Sequence, residues 1–454
     1  MAAVFRLIVR SKRDKDAVEA MVSRFYRGWD VRVESLGGAR SPEKMLERLV
    51  ELGREPGFYI VLLGREDSEA ARFLERRLPA NFVVHVVPRA RVRNARLEQL
   101  MAETLAARAK FRLALTWCSW GYCLGWRGET LEDYSVGPGF DLFIGMEGFT
   151  RAIERLSGAR IGRNPVVLKA SNGLHLVYSG RRVKARITIG EGSRFRPEVS
   201  VRGDVEPLDN DLKLMLAHNK TMLEALVEAS KAFLKTLGDY DTIVVPWSGG
   251  KDSTAVLLLA FEVYGRRKVR VVYGNTGVEF PQTESYVEKI SSMLGFKPIE
   301  AYAGIDRILG NGNPLPTLDN RWCTERKIKA IEDKIAEIAD GRTLILVGDR
   351  DSESFQRERR PPVRRSVNID ATVAAPLRLW SSLHVELFLL SRSIPLNPLY
   401  HKGFYRIGCY MCPALRNWEI EIMITDSTLY LNLVGRPIFR KFIHNRLYRR
   451  LGAS

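Results

Sequence analysis

The chain has 454 residues, 45% of them hydrophobic, enough to bury a large core divided among two to four domains. Lys and Arg outnumber Asp and Glu by 71 to 53, a formal net charge of +18 that favours polyanionic partners, nucleic acid first. Apolar stretches such as 254–261 fall far short of the ~20 residues that span a bilayer, 1–10 lacks a long apolar signal core, and five unevenly clustered cysteines exclude a disulfide scaffold. A cytoplasmic protein with no membrane partner is expected.

In chain order, alternating β-branched runs and amphipathic segments predict a small α/β domain over 1–110: strands at 5–9, 31–34, 58–63 and 82–87, with helices at 14–25, 42–52 and 68–78. Its end places Arg89, Arg91 and Arg93 at period-two spacing, which suits either a phosphate backbone or a solvated charged edge. After a helix at 97–111, Cys118 and Cys123 lie four residues apart among tryptophans. They read as reduced core cysteines or as a metal half-site, and the wide spacing favours the core. A Gly-rich link over 132–148 and short alternating strands near 166–168, 174–178 and 183–189 make 111–205 a Cys/Trp segment followed by a β-rich module. A long amphipathic helix over 211–237, on which His218 reads as structural, opens the next domain.

That domain, 206–415, is organised around DTIVVPWSGGKDSTAVLLL at 241–259. The pattern is strand, Gly-rich loop, helix. Gly249 and Gly250 allow a sharp turn that brings N–H groups to an anion, Lys251 adds charge, and Ser248 and Ser253 add hydroxyls. A Walker A loop places Gly at 245 and Ser or Thr at 252, where this chain has Val245 and Asp252, so the cradle is of another class. Strands at 268–273, 297–302 and 343–347 alternate with helices at 283–294 and 324–338. This predicts a doubly wound parallel sheet that binds its ligand beyond the carboxyl ends of the strands, where 248–253, 274–279 and 348–357 converge.

The ordered segments SGGKDS, NTGVEFPQT, RWCTERKIKAI, GDRDSESFQRERR, APLRLWSSLHVELF and NPLYHKGFYRIGCYMCP resemble the phosphoadenosine phosphosulfate (PAPS) reductase family of PP-loop enzymes over about 219–413. The archaeal branch, with extra N-terminal modules, looks nearest. The resemblance implies an adenine nucleotide α-hydrolase-like fold and ATP with Mg2+ as expected cofactors. It implies that Ser248, Gly249, Gly250, Lys251, Asp252 and Ser253 hold phosphates and that Asn275, Thr276 and Gly277 run along the nucleoside. Arg350, Glu353, Ser354 and Arg357 match the part closing over the anionic end. Forked bonds from Arg350 and Arg357 suit phosphate or sulfate, with Glu353 orienting one of them, and Lys251, Asp252, Arg350 and Arg357 are the catalytic candidates. Arg359, Arg360, Arg364 and Arg365 read as a mobile basic loop.

The resemblance also places Cys323, Cys409 and Cys412 in the segments where the family carries cysteine ligands. Three thiolates suit an iron–sulfur cluster with one open iron, or zinc with a fourth ligand drawn from Cys118, Cys123 or His401. Thr324 and Lys327 stand where archaeal relatives have further cysteines, and a purely structural pair remains the alternative. No cysteine follows Cys412 in the 416–454 segment, where family reductases carry a nucleophilic one; Arg436, Arg440, Lys441, Arg446, Arg449 and Arg450 fill it, suiting a nucleic-acid contact or a solvated helix. The expectation is therefore an adenylating PP-loop enzyme acting on an adenine nucleotide and an RNA base such as one in tRNA, with a sulfur donor or thioredoxin-like protein as partner. A PAPS or adenylyl sulfate reductase, with Cys118 or Cys123 reaching the site, and a non-catalytic nucleotide- and RNA-binding protein are the alternatives.

Overall fold

The structure, a computed structural model, describes residues 5–190 and 197–451, with side chains to Leu447. Strands Phe5–Val9, Val31–Ser35, Tyr59–Leu63 and Phe82–Val86 form a parallel sheet in the order second, first, third, fourth. Ser11 and Ser41 cap the helices Lys12–Phe25 and Pro42–Leu52 by accepting from Asp14 and Lys44 backbone N–H groups, so two helix starts follow from hydroxyl chemistry readable in the sequence.

After the helix Leu97–Arg112, a hairpin of Leu115–Cys118 and Gly121–Leu124 precedes a five-stranded antiparallel sheet. From one edge to the other its strands are Glu198–Val201, Arg182–Thr188, Leu174–Ser179, Val166–Lys169 and Asp141–Ile144. The segment expected to be a Gly-rich link contains this last strand, and the helix Glu147–Ser157 follows it. Both are short, and Leu142, Phe143, Phe149 and Ile153 on them are buried.

The third sheet lies behind the capped helix Leu212–Lys235. Its order is Ile299–Tyr302, Val269–Asn275, Thr242–Trp247, Thr343–Leu346, Ala371–Ala374 and Val363–Arg365, parallel except for the last pair. The fold is α/β with a doubly wound parallel sheet of PP-loop type and additional modules, as expected. The central strand Thr242–Trp247 is flanked by chain from both directions, so the loop that follows it opens at the topological switch point. Among the described residues no helix is long and apolar enough to cross a membrane.

One basic stretch, 359–365, differs from expectation, and two others, 89–93 and 436–447, fall on the solvated side of the alternatives left open for them. Arg89, Arg91 and Arg93 do not share an extended face: Val92–Asn94 coils into a short helix, Arg91 bonds Glu66 at 2.7 Å, and Arg93 reaches Asp14 at 3.3 Å. Arg359 ends the helix Phe355–Arg359, and Arg364 and Arg365 lie in an edge strand, not a mobile loop, because Asp349 draws in Arg360 and Arg364 at 3.5 and 3.3 Å. The terminal segment folds into helices Asn417–Thr425, Ser427–Val434 and Pro437–Leu451. Trp418, Phe439 and Phe442 bury against Phe149, Phe280 and Phe404, while Arg446 donates to the Leu415 carbonyl at 2.6 Å. The side chains of Arg449 and Arg450 lie outside the described residues.

One apolar core runs from Phe5 and Leu62 in the first sheet to Trp247 and Leu346 in the third. A buried charge cluster crosses the same boundary. Arg108, on the helix Leu97–Arg112, donates through Nε to Asp351 at 3.1 Å, and Arg378 pairs with the other oxygen of Asp351 at 3.0 Å. Arg108 also stacks 4.7 Å from the Trp29 ring. All three charged groups are almost inaccessible, so the carboxylate is the counter-charge on which two buried guanidiniums depend. Asp351→Ala should therefore destabilise the protein by about 3–5 kcal/mol, the cost of leaving buried charges unpaired; urea unfolding measures it, with loss of the first sheet's coupling to the third as the expected signature.

Candidate active site

The central strand ends at Trp247, whose indole N–H donates to Thr254 Oγ1 at 3.0 Å, while Thr254 in turn donates to the Gly250 carbonyl at 2.9 Å. These bonds tie the loop back onto its own helix, Lys251–Tyr264. Gly249 sits at φ +68°, where side chains are disfavoured, and an added Cβ would lie 3.2 Å from both Thr283 and Val287. Asn397 fixes the turn from outside by donating to the Gly249 carbonyl at 3.1 Å. The Ser248 and Ser253 hydroxyls lie 3.2 Å apart, and the helix N-terminus opens beneath them.

Lys251 is 3% exposed, with Nζ 3.4 Å from the Tyr405 carbonyl, 4.7 Å from the Tyr400 ring and 4.0 Å from Asp252. Burial alone would lower its pKa, but Tyr400, Asp252 and Glu386 more than reverse that, and the ammonium stays charged. Arg350 is also buried. Its Nε donates to Asp252 at 2.6 Å, Nη1 to Asp141 at 3.0 Å and to Ser352 at 2.8 Å, and Nη2 to Ser382 at 2.9 Å. Its donors are thus directed at protein groups, and it orients the loop's Asp252. Arg357 pairs with Glu353, as the sequence suggested, and with Asp349 at 3.5 Å.

Around these groups lies a cavity of about 250 Å³ lined by six basic side chains, Lys169, Lys251, Arg350, Arg357, Arg406 and Arg416, against three acidic ones, Asp252, Asp349 and Glu353. That excess favours an anion. Ser248, Gly250, Lys251, Asp252, Ser253, Arg350, Glu353 and Arg357 all meet here. Gly249, Asn275, Thr276 and Gly277 do not line it. Asn275 donates to Glu300 at 2.6 Å and accepts from the Gly277 N–H at 2.8 Å, while Thr276 donates to Glu279 at 2.9 Å.

Thr276 instead lines a second cavity, about 390 Å³, with Cys323, Cys409 and Cys412. The two cavities share Arg357, Arg406, Ile407 and Arg416. Thr276 Oγ1 lies 3.2 Å from Cys409 Sγ, and Lys327 Nζ lies 3.6 Å from Glu279. Burial, then Glu279, hold the Cys409 thiol far above the usual range, and burial with Cys412 raises Cys323. Among the described residues no group of three or more His, Cys, Asp or Glu side chains is arranged to hold a metal ion. The three cysteines share a cavity without closing into a ligand set, and the Lys327 ammonium lies close enough to Cys409 to interact with it electrostatically. The described side chains are not arranged as an iron–sulfur or zinc ligand set.

Cys118 and Cys123 do not supply the missing ligand. The hairpin brings their Cα atoms to 6.0 Å, and they join as a disulfide, which corrects the expectation of two reduced core cysteines. Neither lines either cavity, so neither serves as a reductase nucleophile in this arrangement. His401 lies on the helix Pro398–His401, likewise outside both cavities, and His218 stacks on Trp120 at 4.3 Å, in line with a structural role.

Reading the sequence alone missed Asp141, Lys169, Glu386, Tyr400, Tyr405, Arg406 and Arg416. Tyr400, Tyr405 and Arg406 lie inside NPLYHKGFYRIGCYMCP, where the cysteines drew the reading; Asp141 and Lys169 carry no local signal. Asp141 accepts from the Ser382 backbone and hydroxyl at 2.9 and 2.8 Å and from Tyr405 Oη at 2.9 Å. Burial opposes its charge, but Arg350 overcomes this and keeps the carboxyl ionised.

Glu386 is the buried carboxyl facing Lys251. Burial pushes it up from 4.5 to about 8, against the pull of Lys251, and its Oε2 accepts from the Ile144 N–H at 2.8 Å. The folded state therefore keeps a proton that the unfolded chain releases. This contribution is complete below about pH 4.5 and is lost as pH rises through about 8. Glu386→Gln should flatten the decline in stability across that window, measured by urea unfolding at a series of pH values.

Residues 242–415 match the phosphoadenosine phosphosulfate reductase domain model. Two uncharacterized proteins of Methanocaldococcus jannaschii are similar: one is 32% identical over 56% of this chain and 52% of its own length, the other 31% identical over 45% and 50%. The chain thus spans about half the length of these relatives. An adenosine 5'-phosphosulfate reductase of Deinococcus radiodurans is 27% identical over 35% of this chain and 61% of its own. Among solved structures, a PAPS reductase of Candida auris in a phosphate complex aligns at 15% identity and TM-score 0.33, covering 42% of this chain and 95% of that one. With the ordered motifs and the cation-lined loop, the domain match identifies residues 242–415 as a PAPS reductase family domain of the PP-loop type.

Proposed function

We propose that this protein is an ATP-dependent PP-loop enzyme that adenylates a substrate oxygen and passes sulfur to the activated carbon, with an RNA base, as in tRNA, as acceptor. One observation carries the reading: an anion cavity built on the Gly-rich loop adjoins a cavity lined by three cysteine thiols across a shared wall of Arg357, Arg406, Ile407 and Arg416. The nucleotide's phosphates lie against Ser248–Ser253, with Mg2+ carried on the phosphates and not in a protein cage. The substrate oxygen attacks the α-phosphorus, the α–β bond breaks, and pyrophosphate leaves. Buried Lys251, already charged, offsets the negative charge that develops on the leaving group.

The thiols act as sulfur carriers in this reading and not as metal ligands. Cys409 and Cys412 share one tight turn, closed by the Cys412 N–H on the Cys409 carbonyl at 3.0 Å. A persulfide donor loads one of them; its terminal sulfur displaces AMP from the activated carbon. A neighbouring thiolate then cleaves the S–S bond, leaving a cysteine disulfide and the thiolated product, and a thioredoxin-like reductant resets the pair. The chain's net charge of +18 supports a nucleic-acid acceptor. The second reading is reduction of adenylyl sulfate to sulfite, favoured by the name of the Deinococcus radiodurans relative and served by the same adjacency of thiol and anion.

Incubation with α-labelled ATP, bulk tRNA and a persulfide donor should release AMP and pyrophosphate. Lys251→Ala should lower that release by about 100-fold or more, the range for losing a charge-stabilising donor. Cys409→Ser should keep pyrophosphate release and lose thiolated RNA. Sulfite from adenylyl sulfate with no AMP from ATP establishes the reductase reading; nucleotide and RNA binding with no turnover of either establishes a non-catalytic one.

A further inference from the structure

The loop side of the anion cavity belongs to the family domain, but one wall does not. Lys169 ends the strand Val166–Lys169 in the antiparallel sheet, far outside residues 242–415, and it lines the same cavity as Ser248, Gly250, Lys251, Asp252 and Ser253. It pairs in register with Asp141 across the neighbouring strand, and directly opposed residues in such a pair present their side chains on one face. The two cross-strand partners divide the work: Asp141 grips Arg350 and Ser382, and Lys169 faces the cavity.

The cations there gather around one ring. Lys169 Nζ lies 5.3 Å from the centre of the Tyr405 ring, Lys251 Nζ 5.4 Å and the Arg416 guanidinium 5.2 Å. Asp141, the cross-strand partner of Lys169, is already committed to Arg350, Ser382 and the Tyr405 hydroxyl, and Asp252, 4.0 Å from Lys251, accepts from Arg350 Nε. Among the described residues no carboxylate forms an ion pair with Lys169, Arg406 or Arg416. Arg350 and Arg357, by contrast, are each paired with two. Three like charges around one aromatic ring repel one another, and a ring quadrupole offsets only part of that. A multiply charged anion between the loop and this wall would relieve it.

We propose that Lys169 is a ligand-binding residue of the nucleotide site, contributed by the antiparallel-sheet module, and that it contacts the pyrophosphate end of the nucleotide opposite Lys251. The proposal rests on the nucleotide reading above and deepens it: the PAPS reductase family domain holds an incomplete anion site, and the preceding module completes it. Burial, then Arg416 and Arg350, lower the Lys169 pKa to about 8 against Asp141 and Glu353, while the neighbouring strand's His175 stays neutral. In the empty site Lys169 is therefore neutral above about pH 8, and a bound anion returns its proton. Affinity should fall above that pH as binding comes to require proton uptake.

The test is binding of ATP and of inorganic pyrophosphate to the full chain by calorimetry, in buffers of differing ionisation enthalpy. Lys169→Gln should weaken both ligands about tenfold or more, the scale of one charge-assisted hydrogen bond, and Lys169→Arg should restore most of the loss. The wild type should take up protons on binding near pH 8.5, and Lys169→Gln should not. Should Lys169→Gln fail to fold, the wild-type proton uptake decides: its absence overturns the proposal. Wild-type affinity in Lys169→Gln, alongside lost affinity in Lys251→Ala, overturns it and leaves the nucleotide reading standing. Pyrophosphate binding that depends on Lys169, with no ATP binding, keeps the anion site and rejects the nucleotide. Binding of neither ligand by the wild type overturns both.

Discussion

A buried guanidinium holds this structure's parts in relation to one another. Arg350 is 2% exposed and spends its donors on Asp141 from the antiparallel sheet, Asp252 from the Gly-rich loop, and Ser352 and Ser382 from the family domain. Desolvating such a charge is expensive unless its donors are nearly all met, so the cost falls on every segment that contributes an acceptor. Loop, module and domain are thereby coupled: displacing any one leaves charge unpaired inside the protein. Arg108, Asp351 and Arg378 repeat the principle one layer away and attach the first sheet.

This coupling accounts for the electrostatics of the cavity. Carboxylates are used to anchor Arg350 and Arg357, leaving the wall formed by Lys169, Arg406 and Arg416 with positive charge that no ion pair among the described residues offsets. The arginines that a motif reading assigns to the ligand are the ones most occupied by protein. Two of the cations most available to an anion, Lys169 and Arg416, come from outside the motif segments, and the third, Arg406, lies in one read for its cysteines. The shared wall then sets an anion beside the buried Cys409 thiol, within a fold that separates the two chemistries by a few side chains.

Local patterns were legible wherever cause and effect are neighbours in the chain. Ser11 and Ser41 cap the helices they precede, and the run from Asp241 to Leu259 is strand, turn and helix because its β-branched residues, Gly249 and apolar stretch act within a few positions of each other. The basic stretches stayed open or were misread because the fate of an arginine depends on which acid lies near it in space: Glu66 for Arg91, Asp349 for Arg360 and Arg364. The cysteines divide the same way. Spacing marked Cys409 and Cys412 as a pair, but whether Cys323 closes a metal set with them depends on two segments meeting at bonding distance, and they meet only as a cavity.

The amino-acid sequence by itself determined the doubly wound sheet, the Gly-rich loop at Ser248–Ser253, and the family to which that loop's domain belongs, because periodicity, φ preference and motif order are properties of adjacent residues. Only the tertiary structure decided that Asp141 and Lys169 join the site, that Cys118 and Cys123 pair with each other, and that Arg350 organises the site from behind. These depend on desolvation and on distances between residues far apart in the chain, quantities that exist only once the core has closed around them.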